Sequence, residues 1–551
     1  MNDMDGHREE DDTFWAPGTV RLEHVSGPTT ELILHPVPTS DPDDPLNWST
    51  ARKTLNFTLV CFYVLWTFVQ LDIGFTAWGP MFDQLGFTID EMNNGAALNY
   101  GGLAIGCIFF VPFVHKYGRR PLYLFSSALQ LASVVWFAKT QTVGDLMGSN
   151  LISGLGGAIS ETVVQITIAD IFFVHQHGTM NGWYLMFTSV GAFLGPVASG
   201  YVVESQGWRW MWWWCVIFMA LNLVLVMFLF EESKYIPVVH GRRNSRPTEI
   251  PGTDGSKSAP QHGKVQETAK GSRDFGEASL DTIQSIVDPT MTRKTYSQRL
   301  ALITASEGSV THHIYQPVIV LCTFPAVAYA ALTYGTVLSS FAIMTSVQAT
   351  YLLEPPYNFG AVGVGLMNIA PFVGAVIGFF VGGYLSDKSI VWLSKRNRGI
   401  YEPEMRLWLA LIATVLLPAG ILMFGLGLVR GVHWAVLAVG FGLFGFAFVL
   451  TGDIALAYTT DCYSDIIGDA LVGIVFTRNA FSVIVLFALT PWINGMGVQN
   501  VHVLTAAVCF AVLLLPVALL MWGKRARIAT AKKYEHMALR QPAHRTTDEH
   551  S

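Results

Sequence analysis

Twelve apolar stretches, each long enough to cross a lipid bilayer, fall six and six on either side of one long polar segment, and nothing else restricts the fold of this chain as strongly. A transmembrane helix needs about 20 apolar residues to span roughly 30 Å of hydrocarbon, and irregular backbone cannot face lipid. The runs at 54–80, 95–115, 121–140, 146–173, 183–204 and 209–230, and again at 317–348, 360–385, 406–428, 433–459, 469–492 and 500–522, therefore predict an all-α membrane protein of 12 helices in two six-helix bundles. Hydrophobic residues make up 51% and charged residues 13% of the 551 positions, too little polar surface for a soluble globule of this length. The chain divides into an N-terminal tail (1–53), a first bundle (54–230), a central loop (231–316), a second bundle (317–522) and a C-terminal tail (523–551). With no soluble part large enough for an enzyme, the pattern points to movement of solutes across the membrane.

Lys and Arg set the orientation, because positively charged loops stay in the cytoplasm. With the N-terminus inside, only Lys139, Arg209 and Arg430 of the 34 basic residues face outward, and Arg478 lies within a span. Both tails and the central loop are thus expected to be cytoplasmic. The acidic start MNDMDGHREEDD has neither the basic region nor the apolar core of a cleaved signal peptide. The net charge of −6 says little about partners, since the field that matters is local to each membrane face, and nucleic acid is not an expected ligand. The six cysteines form no CxxC pair and His433 and His502 stand singly, so no metal site, membrane metalloenzyme or disulfide framework is indicated. No G-x-x-x-x-G-K-[ST] sequence is present, which excludes ATP-driven pumping and leaves the gradient of an ion or of the solute; no cofactor is expected.

The tail to about Arg52 and the stretch RRNSRPTEIPGTDGSKSAPQHGK of the central loop read as disordered or flexible, while RKTYSQRLALIT reads as a plain tether with a helical end or as a short amphipathic helix on the inner membrane face. The cluster GWRWMWWW, Trp208 to Trp214, is explained by the preference of indoles for the headgroup level, with an aromatic substrate box as the alternative.

Several motifs carry a resemblance. The loop VPFVHKYGRRPLYL holds Gly118, Arg119 and Arg120, and its counterpart GGYLSDKSIVWLSKRNRGIYEPEMRL holds Gly383, Ser386 and Asp387. Together with the six-plus-six division, these loops resemble the signature G-x-L-x-D-R-x-G-R-R of the major facilitator superfamily, with His115 near where the acidic residue belongs. SVGAFLGPVASG, with Gly191, Gly195, Pro196 and Gly200, is similar to the motif that the family's antiporters carry in the fifth span; small residues permit close helix approach and proline a bend. DPDDPLNWSTARK, Glu161 with ADIFF, GWRWMWW, FEESKY, RNRGIYEPEMRL and DCY resemble the fungal drug:proton antiporters, in the branch that includes cation and polyamine permeases. One position departs from that pattern: Asn150 stands where the family usually has an arginine thought to assist proton coupling.

The resemblance implies a plasma-membrane secondary transporter, expected as a monomer, that takes a small-molecule substrate with the proton as coupling ion. It implies export of drugs, toxins or a secondary metabolite, with uptake of organic cations or polyamines as the alternative. It also implies that Arg119 or Arg120 latches to Asp170, and Arg396 or Arg398 to Asp461, with Asp387 in the same loop; ordinary surface ion pairs are the competing reading.

Ionisable residues inside the spans are costly and mark a wet cavity, an ion pair or a titrating site. At about 1.5 Å per residue, Glu161, Asp453 and Arg478 each lie roughly 12–15 Å from the cytoplasmic edge, near the midplane where such proteins hold their cargo. Glu161 and Gln165, at i and i+4, share one helix face and are expected to receive a cationic group or a proton. Asp453 is expected to pair with Arg478, as part of the site or as a structural ion pair. Asp72 lines an outer vestibule or caps the first span, and Asn99, Tyr334, Asn368 and Asn479 line the cavity or bond between helices.

Overall fold

The structure is a computed structural model that describes residues 16–21, 39, 41–235, 294–304, 312–397 and 400–538. Eleven apolar helical segments are long enough to cross a membrane: Thr50–Leu85, Ile89–Tyr117, Arg120–Ala138, Val143–Ile171, Thr179–Gln206, Trp208–Leu229, Pro325–Tyr351, Ala361–Arg396, Pro403–Val429, Trp434–Cys462 and Ile467–Ala538. The last holds two crossings. Gly497, at φ +80°, breaks the helix geometry within it, so the expected spans eleven and twelve run on either side of that glycine. Twelve spans result, numbered one to twelve below in chain order.

Local sequence sets where they start. Thr88 with Glu91 and Thr142 with Asp145 form capping boxes at spans two and four, which satisfy helix N–H groups on the short connections. Tight packing within each half relies on small residues. A Cβ on Gly154 of span four would lie 1.9 Å from the Asn99 carbonyl oxygen in span two, and one on Gly374 of span eight 2.0 Å from the Gly442 oxygen in span ten.

Three helices are broken inside the membrane. Span one changes from α-helix to 3-10 helix at Ile73–Ala77, directly after Asp72. Span five passes through a π-helical turn at Val190–Leu194, next to Pro196, whose missing N–H and ring disturb the regular ladder. Span eight tightens into a turn at Met367 and Asn368, between helices Ala361–Leu366 and Ile369–Phe380.

The two halves meet closely at the end of the bundle away from the chain termini. There a Cβ on Gly200 would lie 2.6 Å from the Ala361 oxygen and one on Gly365 2.5 Å from the Pro196 oxygen, so spans five and eight touch through backbone. Asn93 of span two donates to Thr490 of span eleven at 3.0 Å and accepts from Ser346 of span seven.

One sequence expectation is corrected at the other end, here called the terminal face. Residues 41–49 are folded rather than loose: Asp44 caps the turn Pro45–Asn47, Lys53 donates to the Leu46 oxygen at 3.0 Å and Arg52 pairs with Glu231. The C-terminal segment continues as helix to Ala538, tied by Arg527 to Glu404 at 2.6 Å. Near the end of the central loop one helical turn forms, Tyr296–Arg299. Near the N-terminus, strand β1 (Val20–Arg21) pairs antiparallel with β2 (Ile400–Tyr401), and the Pro17 oxygen accepts from Arg527 at 2.5 Å.

Candidate functional site

A cavity of about 170 Å³ lies between the halves. Its walls are largely aromatic: Tyr184 and Trp212 from the first half face Tyr334, Phe341 and Phe448 from the second. Such a lining buries an apolar body and leaves a few polar groups to orient it. The charged groups of the wall are Asp72, Glu161 and Arg478.

Glu161 of span four and Arg478 of span eleven form an ion pair that joins one half to the other, and both are buried. Asn479 donates its Nδ2 to the second Glu161 oxygen at 2.9 Å, so both carboxylate oxygens have partners from span eleven. The Arg478 guanidinium lies 4.9 Å over the Tyr334 ring, a cation–π contact that adds a third direction of restraint. Tyr334 can stand there because span ten carries a glycine beside it: a Cβ on Gly452 would come within 2.7 Å of the ring. On the other side of Glu161, the Tyr184 hydroxyl donates to the Ser160 oxygen at 3.1 Å. A buried pair of this kind gains little over an apolar isostere, but removing one partner strands the other charge at a cost of about 3–5 kcal/mol.

Asp72 is placed differently. It reaches the cavity at the end of the α-helical part of span one, and no basic group among the described residues pairs with it. The wall thus holds two carboxylates and one guanidinium.

At the terminal face the charges pair within each half. In the first, Arg119 grips Asp170 with two nitrogens, Nε to Oδ2 at 2.7 Å and Nη2 to Oδ1 at 3.1 Å. Glu232 of FEESKY accepts the backbone N–H groups of Arg119 at 2.9 Å, Arg120 at 3.1 Å and Lys234 at 2.9 Å, and so caps the start of span three. Gly118 makes room for it: its φ is +108° and a Cβ would lie 2.4 Å from Glu232 Oε2. Burial pushes the Glu232 carboxyl up against the pull of those amides, and burial with the nearby Arg119 pushes the Lys234 ammonium down to about 8. In the second half, Arg406 binds Asp461 at 2.5 Å and reaches Asp387 at 3.3 Å, while the Tyr401 hydroxyl donates to Asp461.

A comparison of the whole chain with known proteins decides the family. The sequence pattern of the Major Facilitator Superfamily matches residues 55–465. The chain belongs to that superfamily. It is 31% identical to the MFS-type transporter C1271.10c of Schizosaccharomyces pombe, over 96% of this chain and 95% of that protein. It is 30% identical to Protein HOL1 of Saccharomyces cerevisiae, over 96% of this chain and 98% of that protein. Among solved structures it is similar to the human organic anion transporter MFSD10 (TETRAN), with a TM-score of 0.50 and 15% identity, over 85% of this chain and 99% of that one, which shows the fold alone. The protein is therefore a multi-pass membrane transporter of small molecules and not an enzyme.

On this major facilitator scaffold the structure gathers Asp72, Asn99, Glu161, Gln165, Tyr334 and Arg478 around one cavity. Asn479 stands behind it, held on Glu161, and Asn368 lines a smaller neighbouring pocket. One pairing is overturned: Arg478 binds Glu161, while Asp453 turns toward span eight, where a Cβ on Gly382 would lie 3.0 Å from its Oδ2. Depth along a helix follows from counting residues, but the direction a side chain takes around the axis depends on helix rotation, which counting does not give.

In the second half Arg406, and not Arg396, holds Asp461 among the described residues. Arg396 stacks on Trp392 at 3.9 Å, and Arg398 lies outside the described residues. In the first half, Arg119 takes Asp170 while Arg120 donates to the oxygens of Phe230 at 2.9 Å and Met227 at 2.6 Å. The tryptophan cluster divides: Trp210 and Trp214 are exposed, whereas Trp212 is buried in the cavity wall, stacked on Phe137 at 4.3 Å. The buried row Trp208, Trp212, Cys215, Met219 follows helical spacing and was the signal that two of these indoles face inward. Of the span-five motif, Gly191 packs on the Leu65 oxygen and Gly195 on Val69 of span one, while Pro196 and Gly200 contact span eight.

Proposed function

We propose that this protein is a plasma-membrane secondary transporter, working as a monomer with its terminal face in the cytoplasm. It carries small organic molecules with an apolar or aromatic body by alternating access, and the proton gradient drives it. Export of drugs, toxins or a secondary metabolite is the primary reading, in keeping with the resemblance carried by the sequence motifs.

The observation that carries the proposal is the Glu161–Arg478 pair, with one partner from each half in the wall of the cavity. Protonation of Glu161 removes the countercharge of Arg478, weakens the only charged link between the halves at that depth among the described residues, and frees Arg478 to turn to Tyr334 or cargo. Deprotonation restores the link. Proton and substrate then act on one contact, and each biases the same rocking equilibrium. The terminal-face pairs Arg119–Asp170 and Arg406–Asp461 lie within halves and keep each half rigid as it moves.

Asp72 favours a second reading, uptake of organic cations such as polyamines, because it leaves the wall one negative charge in excess. Cells expressing the protein decide between the two. Lower ethidium accumulation and raised resistance support export; accumulation of labelled putrescine supports uptake. In either case Glu161→Gln removes the dependence of transport on external pH, and unchanged pH dependence in that variant refutes the proton site.

A further inference from the structure

Beside the main cavity lies a second space of about 10 Å³, and Asp72 forms part of both walls. That volume matches a single water molecule or one small dehydrated ion. Four spans surround it: Thr76 from span one, Pro196 from span five, Thr345 and Gln348 from span seven, and Asn368 from span eight. It therefore straddles the two halves close to where spans five and eight touch.

The two amides of this pocket direct hydrogens to backbone carbonyls and keep their oxygens. Gln348 donates its Nε2 to the Val364 oxygen at 2.8 Å, which leaves Oε1 buried without a partner in a residue only 2% exposed. Asn368 spends its Nδ2 on the oxygens of Val364 at 3.1 Å and Gly365 at 3.3 Å, so Oδ1 is its free atom. The hydroxyl of Thr76 donates to the Ile73 oxygen at 2.7 Å, and that of Thr345 to the Phe341 oxygen at 2.9 Å, each keeping lone pairs. Both amide orientations are fixed by backbone carbonyls, which accept from nitrogen and repel oxygen. The pocket thus brings the unpartnered Gln348 Oε1, the Asn368 Oδ1 and threonine lone pairs together around one carboxylate.

A neutral water can donate two hydrogens to such a ring; a cation satisfies all of it. The backbone supports the same reading. Span one passes from α-helix into a 3-10 helix immediately after Asp72, and span eight tightens into a turn at Asn368, so each half brings a local departure from regular α-helix to the pocket.

We propose that this pocket binds one desolvated monovalent inorganic cation, a sodium ion or a hydronium ion, through Asp72, Gln348 and Asn368. Its ligands come from both halves, so the bound cation stabilises the conformation in which spans five and eight are in contact. Because Asp72 also faces the main cavity, occupancy of the pocket and recognition of a cationic cargo compete for one carboxylate. Among the described residues Asp72 is the only titratable group lining the pocket, since spans five, seven and eight bring no charge to it; Glu161 and Arg478 face Asp72 from the main cavity. The site is separate from the Glu161–Arg478 pair and does not depend on it.

The test uses the purified full-length protein in a neutral detergent at constant ionic strength. Binding of radioactive sodium and the thermal unfolding midpoint are measured in sodium, potassium and choline chloride, and unfolding is repeated in choline alone from pH 5.5 to 8.5. A sodium ion gives saturable binding of about one ion per chain and a midpoint raised by roughly 2–5 °C over choline. A hydronium ion gives no sodium effect but a midpoint that rises as pH falls. In either case Gln348→Leu, which removes no titratable group, weakens the effect at least tenfold, and Asn368→Asp, which adds a carboxylate, strengthens it. The proposal is overturned if neither sodium nor pH stabilises the wild-type protein, or if the dependence persists unchanged in both variants. Glu161→Gln keeps the cation effect even where it abolishes proton-coupled transport, which separates failure of this site from failure of the proton site.

Discussion

Glu161 and Asp453 occupy matching depths in spans four and ten, yet the structure treats them oppositely. Glu161 faces the cavity and is held by Arg478 and Asn479 from the other half. Asp453 faces Gly382 of span eight within its own half and does not line the cavity. The pseudo-symmetry of two six-helix halves thus supplies two acidic positions, and one of them is wired across the interface. A carboxylate that bridges moving parts can couple a proton to motion, whereas one that stays inside a rigid half can only contribute to packing or to the local field.

This contrast can be attacked in order of expected size. Replacing Glu161 with Gln strands Arg478 at about 3–5 kcal/mol, and proton-driven net transport is expected to fall by roughly 10²- to 10⁴-fold while substrate exchange persists, read as initial rates in proteoliposomes. Arg119→Ala breaks a two-nitrogen grip on Asp170 and is expected to lower the unfolding midpoint by several degrees, in keeping with roughly 3 kcal/mol for a partner lost from a largely buried pair, while the pH profile of the remaining transport stays as in wild type. Gly452→Ala pushes the Tyr334 ring off its seat beneath Arg478; overpacking of about 1–3 kcal/mol is expected to reduce transport about tenfold and to shift its pH profile. Asp453→Asn is expected to change rate and pH profile by less than about twofold, since its carboxylate bridges nothing between the halves; a loss as large as that of Glu161→Gln would erase the contrast. Smallest is Asp387→Asn: that side chain is 71% exposed, so its contact with Arg406 is worth under about 1 kcal/mol and transport should be unaltered.

The sequence revealed length scales better than directions. Twelve spans, their halves and the midplane depth of Glu161 and Arg478 follow from hydropathy and a rise of about 1.5 Å per residue. The partner of Arg478 was not legible, because helix rotation and the packing of span four against span eleven decide it, and these rest on contacts made by glycines and small side chains far apart in the chain. Trp212 shows the same limit: headgroup preference explains Trp210 and Trp214, but the face of span six that carries Trp212 turns inward. Arg406 was missed as the partner of Asp461 because it ends the helical turn Pro403–Arg406, outside the basic run RNR that drew attention to Arg396 and Arg398. The merging of spans eleven and twelve into one helical run shows the converse, since the positive φ of Gly497 marks a boundary that hydropathy had already placed between 492 and 500.

Simultaneous recording of proton and substrate movement is the decisive measurement. Protein in liposomes carrying an internal pH dye is given ethidium or putrescine, whichever the cell assay selects. The wild-type protein should shift internal pH as substrate crosses, and Glu161→Gln should still exchange labelled for unlabelled substrate with no pH change. Proton movement of wild-type size in Glu161→Gln would contradict the role assigned to the pair that Glu161 forms with Arg478.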